Sequence, residues 1–133
     1  MNIGRYVSIC LLVLIWSTCF AERVSDDWER LDGCTLVDNP SNDGDSFHVK
    51  HQGTEYYFRL YFVDTPETSK RYPEQVQVQA EIFNISPEQV LVAGEQAKKF
   101  TDAFLTAKPF TVYTHMENAR GASKMARYYA VVV

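Results

Sequence analysis

The sequence is poor in cysteine, in positive charge and in long apolar runs. It has three cysteines in 133 residues, and two of them, Cys10 and Cys19, lie in the first 21 residues. If that segment is removed, Cys34 has no partner within the chain, which excludes a disulfide framework. The formal net charge of -4 excludes a general positive field. A nucleic-acid partner would therefore need a local basic patch and bound metal.

Residues 1–21 have the pattern of a secretory signal peptide. Arg5 precedes an apolar run from Ile9 to Trp16, and small residues precede a cleavage point after Ala21. An uncleaved membrane anchor is the alternative, but the run is well short of the roughly 20 residues that a spanning helix needs. We therefore expect a secreted or periplasmic protein with no stable membrane partner.

The remaining residues suit one globular domain. The chain is 46% hydrophobic and 14% aromatic, which argues against disorder and leaves little room for a second core. We expect a linker at 22–32 and a domain at 33–133. Cys34, at the start of a predicted strand with no histidine near it in sequence, is better interpreted as a small buried residue than as a nucleophile.

Alternating apolar residues and turn formers predict five short strands. The predicted strands are Thr35–Val37, Ser46–Lys50, Thr54–Val63, Phe110–Thr114 and Arg127–Val133, with a polar loop at 116–124. Because they are short and a helical segment is inserted before the fourth, we expect an α+β fold built on a five-stranded Greek-key barrel of the OB type. The apolar fifth strand ends the sequence abruptly, so we expect a domain truncated at its C-terminus.

Two helices are predicted between the third and fourth strands. The first covers 72–85. Ser86 is an N-cap for the second, because Pro87 follows at the first helical position and Gln89 completes a capping box. Gly94 is a candidate interruption of this helix. An apolar set at helical spacing is expected to pack on the sheet: Ala97, Phe100, Ala103 and Phe104.

Acidic residues gather at the ends of two predicted strands. Asp43 and Asp45 precede the second strand, and Asp64 follows the third, which carries Arg59 among aromatic residues. Carboxylates suit a hard cation and a guanidinium suits phosphate. Arg59 and Asp64 would project to opposite faces of a straight strand, so a shared site requires a bend near Val63.

The joined pattern resembles the staphylococcal nuclease (thermonuclease) family. The resemblance covers roughly residues 34–133. It rests on four stretches in order: Asp43-Gly44-Asp45-Ser46, Arg59 to Thr68, Gly94-Glu95-Gln96-Ala97, and Arg127 at the start of a strand. An Asp-Gly-Asp turn alone is weak evidence, whereas the combination is specific.

The resemblance implies calcium-dependent hydrolysis of DNA and RNA phosphodiesters on an OB-like barrel, and we expect a monomer. It implies that Asp45, Asp64 and the Thr65 carbonyl bind Ca²⁺. Glu67 would position or deprotonate the attacking water. Arg59 and Arg127 would hold the scissile phosphate.

Each of these residues also has a structural interpretation. Asp43 and Asp45 are typical of a hairpin turn, and we favour the turn for Asp43 and the ligand for Asp45. Asp64 and Thr65 could cap the end of a strand, and Glu67 could be an exposed surface acid. Arg59 could be paired structurally with an acid. The alternative function is a non-catalytic nuclease-like OB module that binds nucleic acid or protein.

Overall fold

The computed structural model describes residues 28–120 and 126–133. The predicted signal peptide, residues 22–27 of the predicted linker and residues 121–124 of the predicted loop lie outside these ranges. The elements in chain order are β1 (Glu29–Leu36), β2 (Ser46–His51), β3 (Thr54–Leu60), α1 (Pro73–Phe83), α2 (Pro87–Thr106), β4 (Phe110–Asn118) and β5 (Tyr128–Val132).

The five strands form a closed barrel in the order β1-β2-β3-β5-β4. Four pairs are antiparallel, whereas β3 and β5 are parallel, with Arg59 opposite Tyr129. The expectation of a small five-stranded α+β barrel is therefore confirmed. Closure leaves no free sheet edge along the paired strands.

The barrel interior is a single apolar core. Its fully buried members include Phe47, Phe58 and Val112, and Leu105 of α2 closes one side. Burial of each such side chain contributes about 1.5–3 kcal/mol. Cys34 lies in the same core and its Sγ donates to the Leu31 carbonyl at 3.2 Å. Burial raises the pKa of this thiol, which keeps it protonated near neutral pH.

The first strand begins earlier than the sequence predicts. Residues 29–32, assigned above to a linker, belong to β1. The two buried residues of β1 are Leu31 and Cys34, and a register shift lies between them, where Gly33 has φ +70°. Because the two buried residues are three positions apart, the alternating pattern that predicts strands does not predict this one.

The polar loop predicted at 116–124 begins later than the sequence predicts. Residues 116–118 belong to β4, so the prediction of a loop there is wrong.

The second helix packs through a face other than the predicted one. The capping box at Ser86 is confirmed, and the helix runs through Gly94 without interruption. Phe100 and Phe104, however, are 73% and 58% exposed, and their rings stack on each other. The prediction that these two residues pack on the sheet is wrong, because the buried residues of the helix are Val90, Gly94 and Leu105, and of the predicted set Ala97 is half-buried.

Candidate active site

The site depends on a bend at the end of β3. The strand stops at Leu60, and Phe62 adopts φ +60°, a left-handed conformation that L residues rarely adopt. The change of direction brings Asp64 back to Arg59, whose Nη2 donates to Asp64 Oδ1 at 2.6 Å. The expected bend near Val63 is therefore confirmed and lies one residue earlier.

Asp45 lies at the centre of the predicted site, just before β2. Its side chain is buried. Oδ2 accepts the backbone N–H of Thr65 at 2.9 Å, and Oδ1 accepts the hydroxyl of Ser46 at 2.6 Å. Arg59 Nη2 lies 3.5 Å from the same Oδ2. Asp45 thus holds the loop after β3 against the turn before β2.

Arg59 bridges the two carboxylates proposed as metal ligands. Its guanidinium contacts buried Asp45 on one side and Asp64 on the other, and the Asp64 side chain is 79% exposed. One positive charge therefore faces two negative charges. Asp64 is the more easily displaced partner, because an ion pair with an exposed member contributes little stability.

Asp43 forms the turn that the sequence favoured for it. Its Oδ1 accepts the backbone N–H groups of Asp45 and Ser46, and its own N–H donates to the Ser46 carbonyl. Burial, with repulsion from Asp45 second, raises the pKa of Asp43 to about 6. The turn therefore concentrates negative charge beside Asp45.

Two positions on α2 fix the loops that carry the acids. Thr101 Oγ1 donates to the Gly44 carbonyl at 2.7 Å, which anchors the turn before β2. Gly94 faces the loop after β3, and a Cβ there would lie 2.3 Å from the Glu67 carbonyl oxygen and 2.6 Å from that of Pro66. The close approach requires glycine, which explains this residue inside a continuous helix.

Glu67 lies where the loop approaches α1. Its backbone N–H donates to Gln79 Oε1 at 3.0 Å. Burial raises the pKa of its carboxyl group, Asp64 and Asp45 raise it further, and Arg59 opposes them. Glu67 is therefore a partly buried acid within the field of the other carboxylates, and the interpretation as an exposed surface acid is not favoured.

Arg127 reaches the same site from the start of β5. Its Nη1 donates to Ser46 Oγ at 3.2 Å, and the guanidinium carbon lies 5.7 Å from the Tyr57 ring centroid. Its Nε is buried and has no hydrogen-bond partner among the described residues. Arg120 lies over the same ring at 5.1 Å. Ser46 thus links Asp45 to Arg127.

One open cleft of about 1170 Å³ brings the predicted residues together. All six line it: Asp45, Arg59, Asp64, Thr65, Glu67 and Arg127. The guanidiniums and carboxylates therefore face a common solvent space, although they come from β3, from the turn before β2, from the loop after β3 and from the residue that precedes β5. No helix in the described part of the chain is both long and apolar enough to cross a membrane.

Sequence reasoning assigned no catalytic role to four residues that lie around the predicted site, of which Ser46 is fully buried and does not line the cleft. Ser46 connects Asp45 to Arg127, Gln79 holds the Glu67 backbone, and Tyr57 lies beneath Arg120 and Arg127. Ser46 and Tyr57 could have been placed from the β2–β3 hairpin, because each is two or fewer residues from a predicted site residue. Nothing in the sequence pairs Gln79 or Arg120 with the site.

The carboxylate and carbonyl oxygens of the site are the types of ligand atom that a hard cation binds. The described residues contain no group of three His, Cys, Asp or Glu side chains arranged to hold a metal ion by themselves. Ca²⁺ takes six to eight oxygen ligands and accepts carbonyls and water besides carboxylates, so two carboxylates can suffice as its charged ligands. Burial is the main cause of the raised pKa values of Asp43 and Glu67, and repulsion from neighbouring carboxylates raises both further. A divalent cation would offset that repulsion.

We compared the chain with known proteins. No protein-family model matches it, and no curated protein matches it either.

Proposed function

We propose that this chain is a secreted, calcium-dependent nuclease that hydrolyses phosphodiester bonds of DNA, RNA or both, on a barrel of the OB type. The observation that carries the proposal is the shared cleft, in which Arg59 and Arg127 face the acids Asp45, Asp64 and Glu67. The arginines can stabilise phosphate charge, and the acids can bind a metal ion and activate water, so together they can support phosphodiester hydrolysis. The closed five-stranded barrel supports the proposal, because the family resemblance implies that architecture.

In this proposal the two arginines bind the scissile phosphate. A guanidinium presents planar, paired N–H donors that match two phosphate oxygens, and its charge opposes the charge that builds up in the transition state. The unpartnered Nε of Arg127 is a donor that a phosphate oxygen would satisfy. On substrate binding, Arg59 would break its ion pair with exposed Asp64 and bind the phosphate, while its contact with buried Asp45 would remain.

Glu67 acts on the attacking water. Burial raises the pKa of its carboxyl group, which makes the carboxylate a stronger base than an ordinary glutamate. The hydrogen bond to Gln79 and the contact at Gly94 fix its backbone. A fixed base lowers the entropic cost of aligning water with phosphorus.

Asp45, Asp64 and the Thr65 carbonyl would hold the calcium ion. When bound, the ion supplies positive charge that offsets phosphate charge and helps to orient the water. Arg59 supplies the compensating charge to the two carboxylates in the absence of metal.

A non-catalytic binding module is the second candidate. It is favoured by one feature of the described residues, which is that Arg59 is already paired with both acids. In such a protein the cleft would bind phosphate through arginine without hydrolysing it.

Digestion assays with the full chain separate the two functions. Single-stranded DNA, duplex DNA and RNA are each incubated with the protein in calcium and in a calcium chelator. The nuclease proposal predicts cleavage of at least one substrate in calcium and none in chelator. Binding without cleavage at saturating calcium would favour the binding module.

The proposed export has a separate test. Expression of the full chain should release a protein into the extracytoplasmic fraction, with an N-terminus at Glu22 by mass spectrometry. A product that retains residues 1–21 inside the cell would contradict secretion.

A further inference from the structure

Five aromatic rings form a cluster beside the cleft, and the proposed hydrolysis does not use them. Tyr61 and Tyr129 stack at 4.8 Å, Trp28 meets Tyr61 edge-on at 5.6 Å, and Trp28 lies 4.0 Å from His115. Phe62 completes this aromatic cluster at 5.6 Å from Tyr61. Stacking and edge contacts thus join Trp28, Tyr61, Tyr129 and His115, and Phe62 lies exposed at the margin of the cluster.

Phe62 is the most unusual member of the cluster. It is fully exposed, and its φ of +60° is a conformation that glycine or asparagine adopts at lower cost. A turn that only reverses the chain has no need of an aromatic side chain there. Backbone strain at an exposed aromatic residue next to a candidate site suggests a role in binding.

Strand register places the cluster next to Arg59. Phe58 and Ala130 are fully buried inside the barrel, so Arg59 and Tyr129, the next residue of each strand, lie on the outer face opposite each other. Tyr61, the first residue after β3, stacks on Tyr129 and therefore lies on the same side of the barrel. The aromatic surface therefore continues directly from the proposed phosphate clamp.

We propose that the aromatic cluster is a base-stacking subsite for single-stranded nucleic acid. A base attached to the phosphate at Arg59, or to the next one along, would stack on Phe62 and on the accessible part of Trp28, which is 42% exposed. Exposed rings accept any unpaired base face, whereas the bases of a duplex are already stacked. The inference rests on the proposed function, because it takes Arg59 to hold the adjacent phosphate.

The continuity with Arg59 favours nucleic acid over a protein partner. A protein interface would need a larger contiguous apolar patch, whereas stacking requires only ring faces beside a cation that binds phosphate. Tyr57, at the other end of the cleft, is less suited to stacking because it is buried, with His48 on one face at 4.2 Å and arginines near its ring.

The test uses the full chain in chelator, so that binding is measured without cleavage. The sequence has two tryptophans, and a Trp16→Phe substitution leaves Trp28 as the fluorescent reporter. The probe is oligothymidylate of about eight nucleotides, a length within the site sizes of single-strand-binding barrels. An abasic deoxyribose-phosphate oligomer of equal length and charge, and a duplex, serve as matched ligands.

We expect oligothymidylate to quench Trp28 and to bind more tightly than the abasic oligomer or the duplex. Phe62→Gly should weaken oligothymidylate binding roughly 5- to 100-fold and leave abasic binding nearly unchanged. This substitution relieves the strained backbone, so unfolding would not explain the loss. Trp28→Leu, followed by fluorescence anisotropy of labelled oligonucleotide, is the second variant, and Phe100→Ala on α2 is the control at an exposed aromatic residue outside the cluster.

Wild-type affinity in both Phe62→Gly and Trp28→Leu would overturn the inference, as would equal affinity of the wild type for abasic and base-bearing oligomers. A change in oligomeric state of Phe62→Gly without a change in oligonucleotide affinity would assign the cluster to contact between copies and also overturn it. If the protein binds oligothymidylate more tightly than the abasic oligomer but shows no calcium-dependent cleavage, the nuclease proposal is rejected and the stacking subsite is retained.

Discussion

Arg59 donates to Asp64 at 2.6 Å although five residues separate them along the chain. A straight strand would project the two side chains to opposite faces of the sheet. They meet because β3 ends at Leu60 and Phe62 takes φ +60°. The candidate site therefore depends on one local change of backbone direction, and this dependence can be tested.

Phe62→Gly should be more stable than Phe62→Ala. Alanine in the left-handed conformation costs about 1–2 kcal/mol, and glycine avoids that cost. Urea unfolding of both variants measures the difference. The matched pair Val63→Gly and Val63→Ala should show the opposite order, by roughly 0.4–1 kcal/mol, because Val63 has no positive φ. Greater stability of Phe62→Ala than of Phe62→Gly would contradict the bend described here.

Gly94→Ala should destabilise the protein and abolish cleavage. Helix propensity alone would favour alanine by about 1 kcal/mol. The new Cβ would, however, lie 2.3 Å from the Glu67 carbonyl oxygen, and such overpacking costs typically 1–3 kcal/mol or more. The steric effect should therefore prevail and displace the Glu67 loop.

Thermal unfolding and a cleavage assay measure both effects of Gly94→Ala. Glu95→Ala, at the next position of α2 and exposed, is the control for the helix itself. A Gly94→Ala protein more stable than the wild type would mean that the loop does not approach α2 so closely.

Arg59→Lys should reduce the cleavage rate by about 100-fold or more, the loss typical of removing one preorganised donor. Lysine retains the charge but lacks the planar pair of donors. Single-turnover cleavage in saturating calcium measures the loss. Arg71→Lys is the control, because Arg71 also lines the cleft and has no assigned role. Equal rates for the two variants would remove Arg59 from phosphate binding.

Much of the barrel could be predicted from sequence because local signals agree with the fold. The β2–β3 hairpin and the cap at Ser86 follow from alternation and capping residues. The inward face of α2 could not be predicted, since it is selected by close approach at Gly94 and a hydrogen bond from Thr101 rather than by the apolar residues Phe100 and Phe104.

The residues of the candidate site likewise fall into those that the sequence could predict and those that it could not. Asp45, Arg59 and Asp64 could be grouped from strand ends and a required bend, both of which are local properties. Gln79 and Arg120 could not, because α1 and the end of β4 reach the cleft only through tertiary packing. Long-range placement of this kind leaves no periodic signal in the sequence.

His48 should make the stability of the protein depend on pH. Burial lowers its pKa in the folded protein, Arg120 lowers it further, and Glu55 opposes them. As pH falls through about 6.5, the unfolded chain takes up a proton that the folded chain resists, so stability falls. The stabilisation is fully present above that pH.

Urea unfolding of the wild type and of His48→Gln at several pH values isolates this contribution. The stability advantage of the wild type over the variant should be largest above about pH 7 and should shrink toward pH 5. An advantage that stays constant over this range would contradict the assigned environment of His48.

The most direct test of the nuclease proposal compares Glu67→Gln with Glu74→Gln in single-turnover cleavage at saturating calcium. Both substitutions remove one carboxylate from the same cleft with little change in shape. Glu67→Gln should lower the rate by about 100- to 10,000-fold, the usual contribution of a general base, whereas Glu74→Gln should remain within a few-fold of wild type. Cleavage by Glu67→Gln at the wild-type rate would contradict the account.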